Sequence, residues 1–203
     1  MIDEGTIKFV SEWTPSAPLE LDEIRTLIEW RRPLFAAGLV GHDAEHDVGY
    51  GNLSVRCADG PGFVITGTQT GHIAEPGAEH FARVTGCDIE VNVVRAIGAT
   101  EASAESLTHA AIYALSPRIA AVVHVHDPEL WTRLLDTVPT TARNVPYGTP
   151  AMAREFARLH AETGFADGSV AVMAGHEGGL VAAGATLWEA ARGSLGLLPT
   201  GRR

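Results

Sequence analysis

The stretch AVVHVHDP, residues 121–128, decides the fold, because an apolar, β-branched run of this kind is typical of a buried strand. Side chains alternate between the two faces of a strand, so His124 and His126 point the same way, roughly 7 Å apart along the backbone. Each imidazole in a dry strand needs a polar partner, and one divalent metal would satisfy both. The alternative is a pair of core histidines that bond backbone carbonyls, and the motif by itself leaves both open.

Length and composition predict one globular domain over residues 1–203. The chain has 45% hydrophobic and 20% charged residues, enough for a sizeable core, and no apolar run approaches the ~20 residues of a membrane span. The N-terminus is too acidic and has too few apolar residues for a signal peptide. Cys57 and Cys87 form no close-spaced pair. We therefore expect a cytoplasmic protein with no membrane partner.

The charge of the chain argues against a nucleic-acid partner. The formal net charge is -10, and no basic cluster is larger than Arg31-Arg32 or Arg202-Arg203, whereas binding to phosphates needs a basic surface. Lys8 is the single lysine, in a strand-like N-terminal segment, which leaves almost no candidate for a mechanism through a lysine Schiff base.

Apolar spacing alternates between strand and helix periods, and this pattern predicts a layered α/β domain with one central sheet. Ser103 is the predicted N-cap of the second helix. Besides the strand that holds the two histidines, predicted strands cover 50–55, 63–66, 89–94, 169–174 and 180–183. Predicted helices cover 19–39, 104–115, 128–135, 152–163 and 186–198.

Two further residues could complete a metal site. His176 follows an apolar strand, and its flanking glycines let the backbone approach a ligand closely, although it could equally be a turn residue. Together with His124 and His126 it would give three histidines and an open position, as a catalytic metal needs. Glu105 begins the second helix, where a carboxylate is commonly just a favourable partner for the helix dipole.

Five segments in this order resemble the signature blocks of the class II aldolase/adducin family: GNLSVR (51–56), SAESLTHAAIY (103–113), VVHVH (122–126), PYG (146–148) and GHEG (175–178). The similarity covers about residues 20 to 190. It implies a three-layer α/β/α sandwich around a central, mostly antiparallel sheet. It also implies a homotetramer with active sites shared between subunits, and a small-molecule substrate.

The resemblance also implies roles for individual residues. His124, His126 and His176 would be the metal ligands, Glu105 the acid/base, and Tyr147 the tyrosine that reaches a neighbouring subunit's site. Asn52, Thr70, Gly71 and Ser103 would bind the substrate, in the positions that hold phosphate in the family's sugar-phosphate aldolases.

This chain departs from the family pattern at two of these places. It carries Ser103-Ala104 where the sugar-phosphate aldolases usually have two serines, so one hydroxyl donor is lost. Its loop Thr66-Gly67-Thr68-Gln69-Thr70-Gly71 is longer than usual, so either Thr68 or Thr70 could take the ligand role. These departures weaken the case for phosphate recognition, and the alternative is a polar turn without a ligand.

Together, the residues and the resemblance predict a metal-dependent lyase for reversible aldol cleavage of a small ketose, possibly phosphorylated, through a metal-stabilised enediolate. Zinc is the expected divalent metal, but three histidines would also accept manganese or ferrous iron. Two alternatives stay open. One is another metal-dependent reaction on the same fold, as in an epimerase, dehydratase, decarboxylase or iron-dependent oxygenase, and the other is a non-catalytic assembly module like adducin.

Overall fold

The computed structural model describes residues 5–200. Within this range the strands are β1 (Val10–Pro15), β2 (Gly41–Asp43), β3 (Val48–Tyr50), β4 (Asn52–Arg56), β5 (Phe63–Thr66), β6 (Phe81–Asp88), β7 (Val93–Gly98), β8 (Ala121–His126), β9 (Val170–Val172) and β10 (Gly179–Gly184). The α-helices are α1 (Leu21–Ala36), α2 (Ser106–Leu115), α3 (Pro128–Leu134), α4 (Pro150–Thr163) and α5 (Leu187–Gly196).

Eight of these strands form one central sheet, in the order β1-β7-β6-β5-β4-β8-β10-β9. β1 runs parallel to β7, and every other neighbouring pair is antiparallel. β2 and β3 form a separate hairpin. The expectation of a mostly antiparallel sheet in an α/β fold is therefore confirmed.

Helices cover both faces of the sheet and create two hydrophobic cores. α2 and α4 pack Leu107 and Phe156 into the core that contains Val122 of β8. α1 and α5 pack their apolar residues into the other core, which contains Val123 and Val125 of β8. Successive residues of β8 thus enter opposite cores, as the alternation in the sequence predicts, and His124 and His126 share the face of Val122.

The strand predicted over 89–94 is wrong for residues 89–92. Residues 89–92 form a turn instead, and β7 begins at Val93. The carboxylate of Asp88 accepts hydrogen bonds from the backbone N–H groups of Glu90 and Val91 at 3.1 and 3.2 Å, and Asn92 adopts a φ of 58°. A short acidic side chain that bonds its own following backbone competes with strand pairing, and this local interaction outweighs the apolar pattern.

Two other element boundaries differ from the sequence prediction. Gly51, with a φ of 76°, divides the strand predicted over 50–55 into β3 and β4. α2 begins at Ser106 with Glu105 at the N-cap position, while the Ser103 hydroxyl accepts a 3.3 Å hydrogen bond from the Glu105 N–H. Ser103 therefore supports the approach to the helix without being its cap residue.

None of the helices between residues 5 and 200 is both long and apolar enough to cross a membrane.

Candidate metal centre and active site

Three histidine side chains meet at one end of the central sheet. In the sheet, His124 lies opposite Asn52 of β4 and Val181 of β10, and His126 lies opposite Gly179. The turn between β9 and β10 supplies His176. The Nε2 atom of His126 is 2.9 Å from that of His124 and 3.1 Å from that of His176, and the latter two are 3.3 Å apart. The three residues that the sequence selected therefore form one cluster.

Two glycines make room for this cluster. A Cβ atom on Gly179 would lie 2.6 Å from Cδ2 of His176 and 3.2 Å from Cε1 of His124. A Cβ atom on Gly175 would lie 2.1 Å from the carbonyl oxygen of Val145. The glycines around His176 thus allow the backbone to lie close to the imidazole rings.

Burial keeps these histidines neutral. It lowers the pKa of His124 to about 4 and the pKa values of His126 and His176 well below the usual value. The Nδ1 atom of His124 is 3.0 Å from the carbonyl oxygen of Leu180, which places the proton on Nδ1 and a lone pair on Nε2. A neutral imidazole with a free Nε2 lone pair is a good ligand for a divalent metal.

The spacing of the three Nε2 atoms also fits a metal ion. Zn–N bonds of about 2.0–2.1 Å at tetrahedral angles put ligand nitrogens about 3.3 Å apart. Six-coordinate geometry with similar bond lengths puts neighbouring nitrogens about 3.0 Å apart. The observed distances of 2.9 to 3.3 Å cover both values, so the donor set suits a divalent ion without selecting zinc over manganese or ferrous iron.

Glu105 lies beside this cluster, at the start of α2. Its Oε1 atom is 3.5 Å from Nε2 of His176 and 4.0 Å from Nε2 of His124. Burial raises the pKa of Glu105 to about 7, against smaller opposing effects of Thr108 and Lys8. A carboxyl group that titrates near neutral pH can both accept and donate a proton, as an acid/base catalyst must.

Tyr147 lies in the site of its own chain. Its ring centroid is 4.4 Å from that of His176, its side chain is 4% exposed, and its hydroxyl accepts a 2.9 Å hydrogen bond from the Thr6 N–H. The turn explains this inward position, since a Cβ atom on Gly148 would lie 2.6 Å from the carbonyl oxygen of Ala104. Within one chain Tyr147 thus packs beside His176, and the expectation that it also reaches a neighbouring subunit's site stays a prediction.

The residues expected to bind the substrate surround a small pocket next to Glu105. Asn52, Thr70, Gly71 and Ser103 line it together with Thr68. The Thr70 hydroxyl donates to the Gly67 carbonyl at 2.8 Å, and the buried Oδ1 atom of Asn52 accepts no hydrogen bond from the described residues. The pocket has a volume of about 20 Å³, which holds about one water molecule.

Arg31 supports the loop of this pocket, a role that the sequence did not reveal. This side chain of α1 is 1% exposed and donates to the carbonyl oxygens of Thr70 at 2.9 Å and Gly71 at 3.1 Å. It also donates to the Ile73 carbonyl. Burial lowers the pKa of Arg31 to about 10, so the side chain remains charged at neutral pH. Its surroundings in the sequence give no hint of these distant acceptors.

A larger cavity of about 760 Å³ opens on the other side of the histidine cluster. His126, His176 and Tyr147 line it, as do Tyr50 of the β2–β3 hairpin and Lys8. The Lys8 side chain crosses to this site from the N-terminal segment, and its Nζ atom lies 3.1 Å from the centroid of the Tyr147 ring. Sequence reasoning placed Lys8 in a strand-like segment and missed this long-range contact.

His109 does not join the metal cluster. Its Nδ1 atom is 2.7 Å from the Ser54 hydroxyl, which is 2.7 Å from the Tyr113 hydroxyl. These three buried groups form a polar network between α2 and β4, behind Glu105.

The sequence model of the Class II Aldolase and Adducin N-terminal domain matches residues 35–195. A search of curated proteins finds no match. Among solved structures, YgbL of Escherichia coli, a candidate aldolase/epimerase/decarboxylase, is similar with a TM-score of 0.59 and 25% identity over 85% of both chains.

Two sugar-phosphate aldolases have similar folds. L-fuculose-1-phosphate aldolase from Thermus thermophilus gives a TM-score of 0.59 with 24% identity over 88% of both chains. A sugar-phosphate aldolase from Thermotoga maritima gives a TM-score of 0.66 with 18% identity, covering 87% of this chain and 90% of the other.

Proposed function

Because this chain belongs to the class II aldolase and adducin family, we propose that it is a metal-dependent lyase that cleaves a small ketose by a reversible aldol reaction. The observation that carries the proposal is the convergence of three histidine Nε2 atoms, 2.9 to 3.3 Å apart, beside the buried carboxyl group of Glu105. His124, His126 and His176 would hold the metal, for which zinc is the first candidate.

The bound metal would supply Lewis-acid stabilisation of the enediolate charge that develops as the carbon–carbon bond breaks. Glu105 would hold a proton and exchange it with the carbon next to the substrate carbonyl, and a pKa of about 7 suits both directions of that transfer. Tyr147 is the candidate donor and acceptor for the proton on the departing aldehyde oxygen. Its hydroxyl is held near Thr6, within the same site.

Asn52, Thr70, Gly71 and Ser103 are the proposed contacts for the far end of the substrate. Their pocket, at about 20 Å³, is smaller than a phosphate group. A phosphorylated ketose would therefore require the segment around Gly5 to move, because Gly5 lines this pocket. Free and phosphorylated ketoses are both candidate substrates, and the assay must include both.

We also propose a cytoplasmic homotetramer in which each chain forms a single domain over residues 1–203. Cys57 and Cys87 are free thiols, as expected in a reducing compartment. In this assembly the active sites would be shared between subunits, with Tyr147 as the candidate residue that reaches a neighbour's site. Native mass spectrometry would establish the number of subunits, and a stable monomer would contradict this assignment.

The function is tested by loading the purified protein with zinc, manganese or ferrous iron and screening short ketoses, ketose phosphates and 2-keto acids for cleavage. We expect aldehyde release with at least one metal, and no consumption of oxygen. Oxygen consumption would favour the iron-dependent oxygenase alternative. A protein that binds no metal would favour the non-catalytic assembly module.

Variants test the assigned roles. We expect His124→Ala, His126→Ala and His176→Ala each to lower the bound metal and abolish cleavage, while His46→Ala, an exposed histidine on the β2–β3 connection, keeps both. Full metal content in all three cluster variants would refute the site. Glu105→Gln should retain metal but lose exchange of the substrate's α-proton with deuterated water.

A further inference from the structure

We propose that Lys8 is a substrate-recognition residue whose ammonium group binds an anionic group of the substrate, a carboxylate or a phosphate, in the larger cavity. The inference rests on the proposed function and deepens it, since it names the charge of the substrate. Lys8 lies outside the segment that matches the family model, so the family match does not assign it a role.

The backbone of Lys8 is fixed in place. The side-chain amide of Asn92 donates to the Lys8 carbonyl at 2.8 Å, and the Asn92 carbonyl accepts from the Val10 N–H at 2.8 Å. Thr6, two residues earlier, donates its N–H to the Tyr147 hydroxyl. The segment is thus tied to the turn before β7 on one side and to the active site on the other.

The side chain of Lys8 is aimed into the site. Its Nζ atom is buried, lies 3.1 Å from the centroid of the Tyr147 ring, and Tyr147 in turn stacks against His176. An ammonium on the face of an aromatic ring is held there by the ring quadrupole. This geometry orients a positive charge toward the cavity beside the metal ligands.

Lys8 is also distinctive in its charge. Among the described residues that line the larger cavity, it supplies the one permanent positive charge, while Asp43, Asp127 and Glu177 are acidic. The whole chain has a formal net charge of -10, which repels an anionic molecule. A local cation in a partly desolvated cavity would give such a molecule a specific and strong point of attachment.

The volumes of the two pockets favour the Lys8 side of the site as the place where the anionic group of the substrate binds. The pocket of Asn52 and Ser103 has about 20 Å³, whereas the cavity lined by Lys8 has about 760 Å³. Gln69 closes the smaller pocket further, because its side-chain amide donates to the Gly5 carbonyl at 3.4 Å. The volume of the cavity lined by Lys8 is sufficient for a carboxylate or a phosphate.

The test compares three probes that share a hydroxyketone: neutral dihydroxyacetone, dihydroxyacetone phosphate and hydroxypyruvate. Their binding to the zinc-loaded full chain is measured by calorimetry for the wild type, Lys8→Met, Lys8→Arg and the control Arg118→Met, an exposed cation paired with Asp167. Melting temperature and metal content establish that each variant is folded and loaded.

We expect the wild type to prefer at least one anionic probe over dihydroxyacetone. Lys8→Met should lower the affinity for that probe about ten- to hundred-fold, because a charge-assisted hydrogen bond is lost. The affinity for dihydroxyacetone should change by no more than about two-fold. Lys8→Arg should restore most of the affinity, and Arg118→Met should change nothing. The probe that loses affinity identifies the group as phosphate or carboxylate.

Equal losses for neutral and anionic probes in Lys8→Met, or a wild type without preference for either anion, would overturn the proposal. Because the experiment measures binding and not cleavage, the role of Lys8 and the aldolase assignment can be refuted independently. A protein that binds anions through Lys8 but cleaves no ketose would refute the aldolase assignment and leave the role of Lys8 intact.

Discussion

Replacement of Arg31 by methionine should be the most destabilising change of a polar side chain near the site. Arg31 donates to the carbonyls of Thr70 at 2.9 Å and Gly71 at 3.1 Å and also to that of Ile73, all from a buried position. Each hydrogen bond from a charged donor contributes about 1.5–3 kcal/mol. Methionine keeps part of the stem packing, and water can reach some of the freed carbonyls, so we take the low end. For three hydrogen bonds, the expected loss in the free energy of unfolding is about 4–5 kcal/mol.

Arg32→Met is the matched control, since the two arginines are neighbours on α1. Arg32 forms an exposed ion pair with Glu75, and the two side chains are 57% and 66% accessible. Exposed pairs contribute at most about 1 kcal/mol.

Urea unfolding and thermal unfolding, both followed by circular dichroism, would measure the free energy of unfolding and the melting temperature of both variants. We expect Arg31→Met to lower the melting temperature by roughly 10 °C and Arg32→Met by a few degrees at most. Similar small losses for both variants would show that the buried guanidinium does not hold the loop, and the argument from its backbone acceptors would be refuted.

Three further predictions follow from the site. Gly179→Ala should fold but bind metal more weakly, because its Cβ would lie 2.6 Å from the His176 ring, and metal content at wild-type levels would contradict this. In the metal-free folded protein the pKa of Glu105 is raised to about 7 from its ordinary value of 4.5. Glu105 therefore contributes fully to the stability of the fold below pH 4.5, and this contribution is lost as the pH rises through 7. The unfolding free energy of the wild type should therefore fall by about 3 kcal/mol relative to Glu105→Gln between these values, and parallel stability curves would disprove it. Finally, mixed oligomers of Glu105→Gln and Tyr147→Phe subunits should be more active than either parent, because a shared site would regain both groups. Mixed oligomers no more active than the parents would restrict Tyr147 to the site of its own chain.

The histidine cluster could be predicted from the sequence because its geometry is largely local. The alternation of β8 fixes the common face of His124 and His126, and the apolar stretch before His176 identifies a further strand of the same sheet. The order of the family's sequence blocks added Glu105. These signals depend on residues close in the chain or on a recurring pattern, and the structure brings all four side chains together.

The remaining parts of the site depend on contacts that a sequence pattern does not encode. Lys8 meets Tyr147 from the far end of the chain, and Arg31 meets the loop at Thr70 across 39 positions. The direction of Tyr147 depends on how closely the turn at Gly148 approaches Ala104. At residues 89–92, hydrogen bonds to Asp88 outweigh an apolar run that predicts a strand.

The position of β1 has a consequence for how such a protein can evolve. This strand is at one edge of the sheet and pairs with β7 alone, in the one parallel pairing of the described sheet. His124 and His126 lie on the interior strand β8, and His176 lies in the turn between β10 and the opposite edge strand, β9. Changes in an edge strand and the segment before it disturb few neighbours. Lys8, the proposed residue that recognises the charge of the substrate, can therefore be exchanged, gained or lost while the histidine cluster and Glu105 stay the same. Substrate preference can then change in evolution without a change in the reaction.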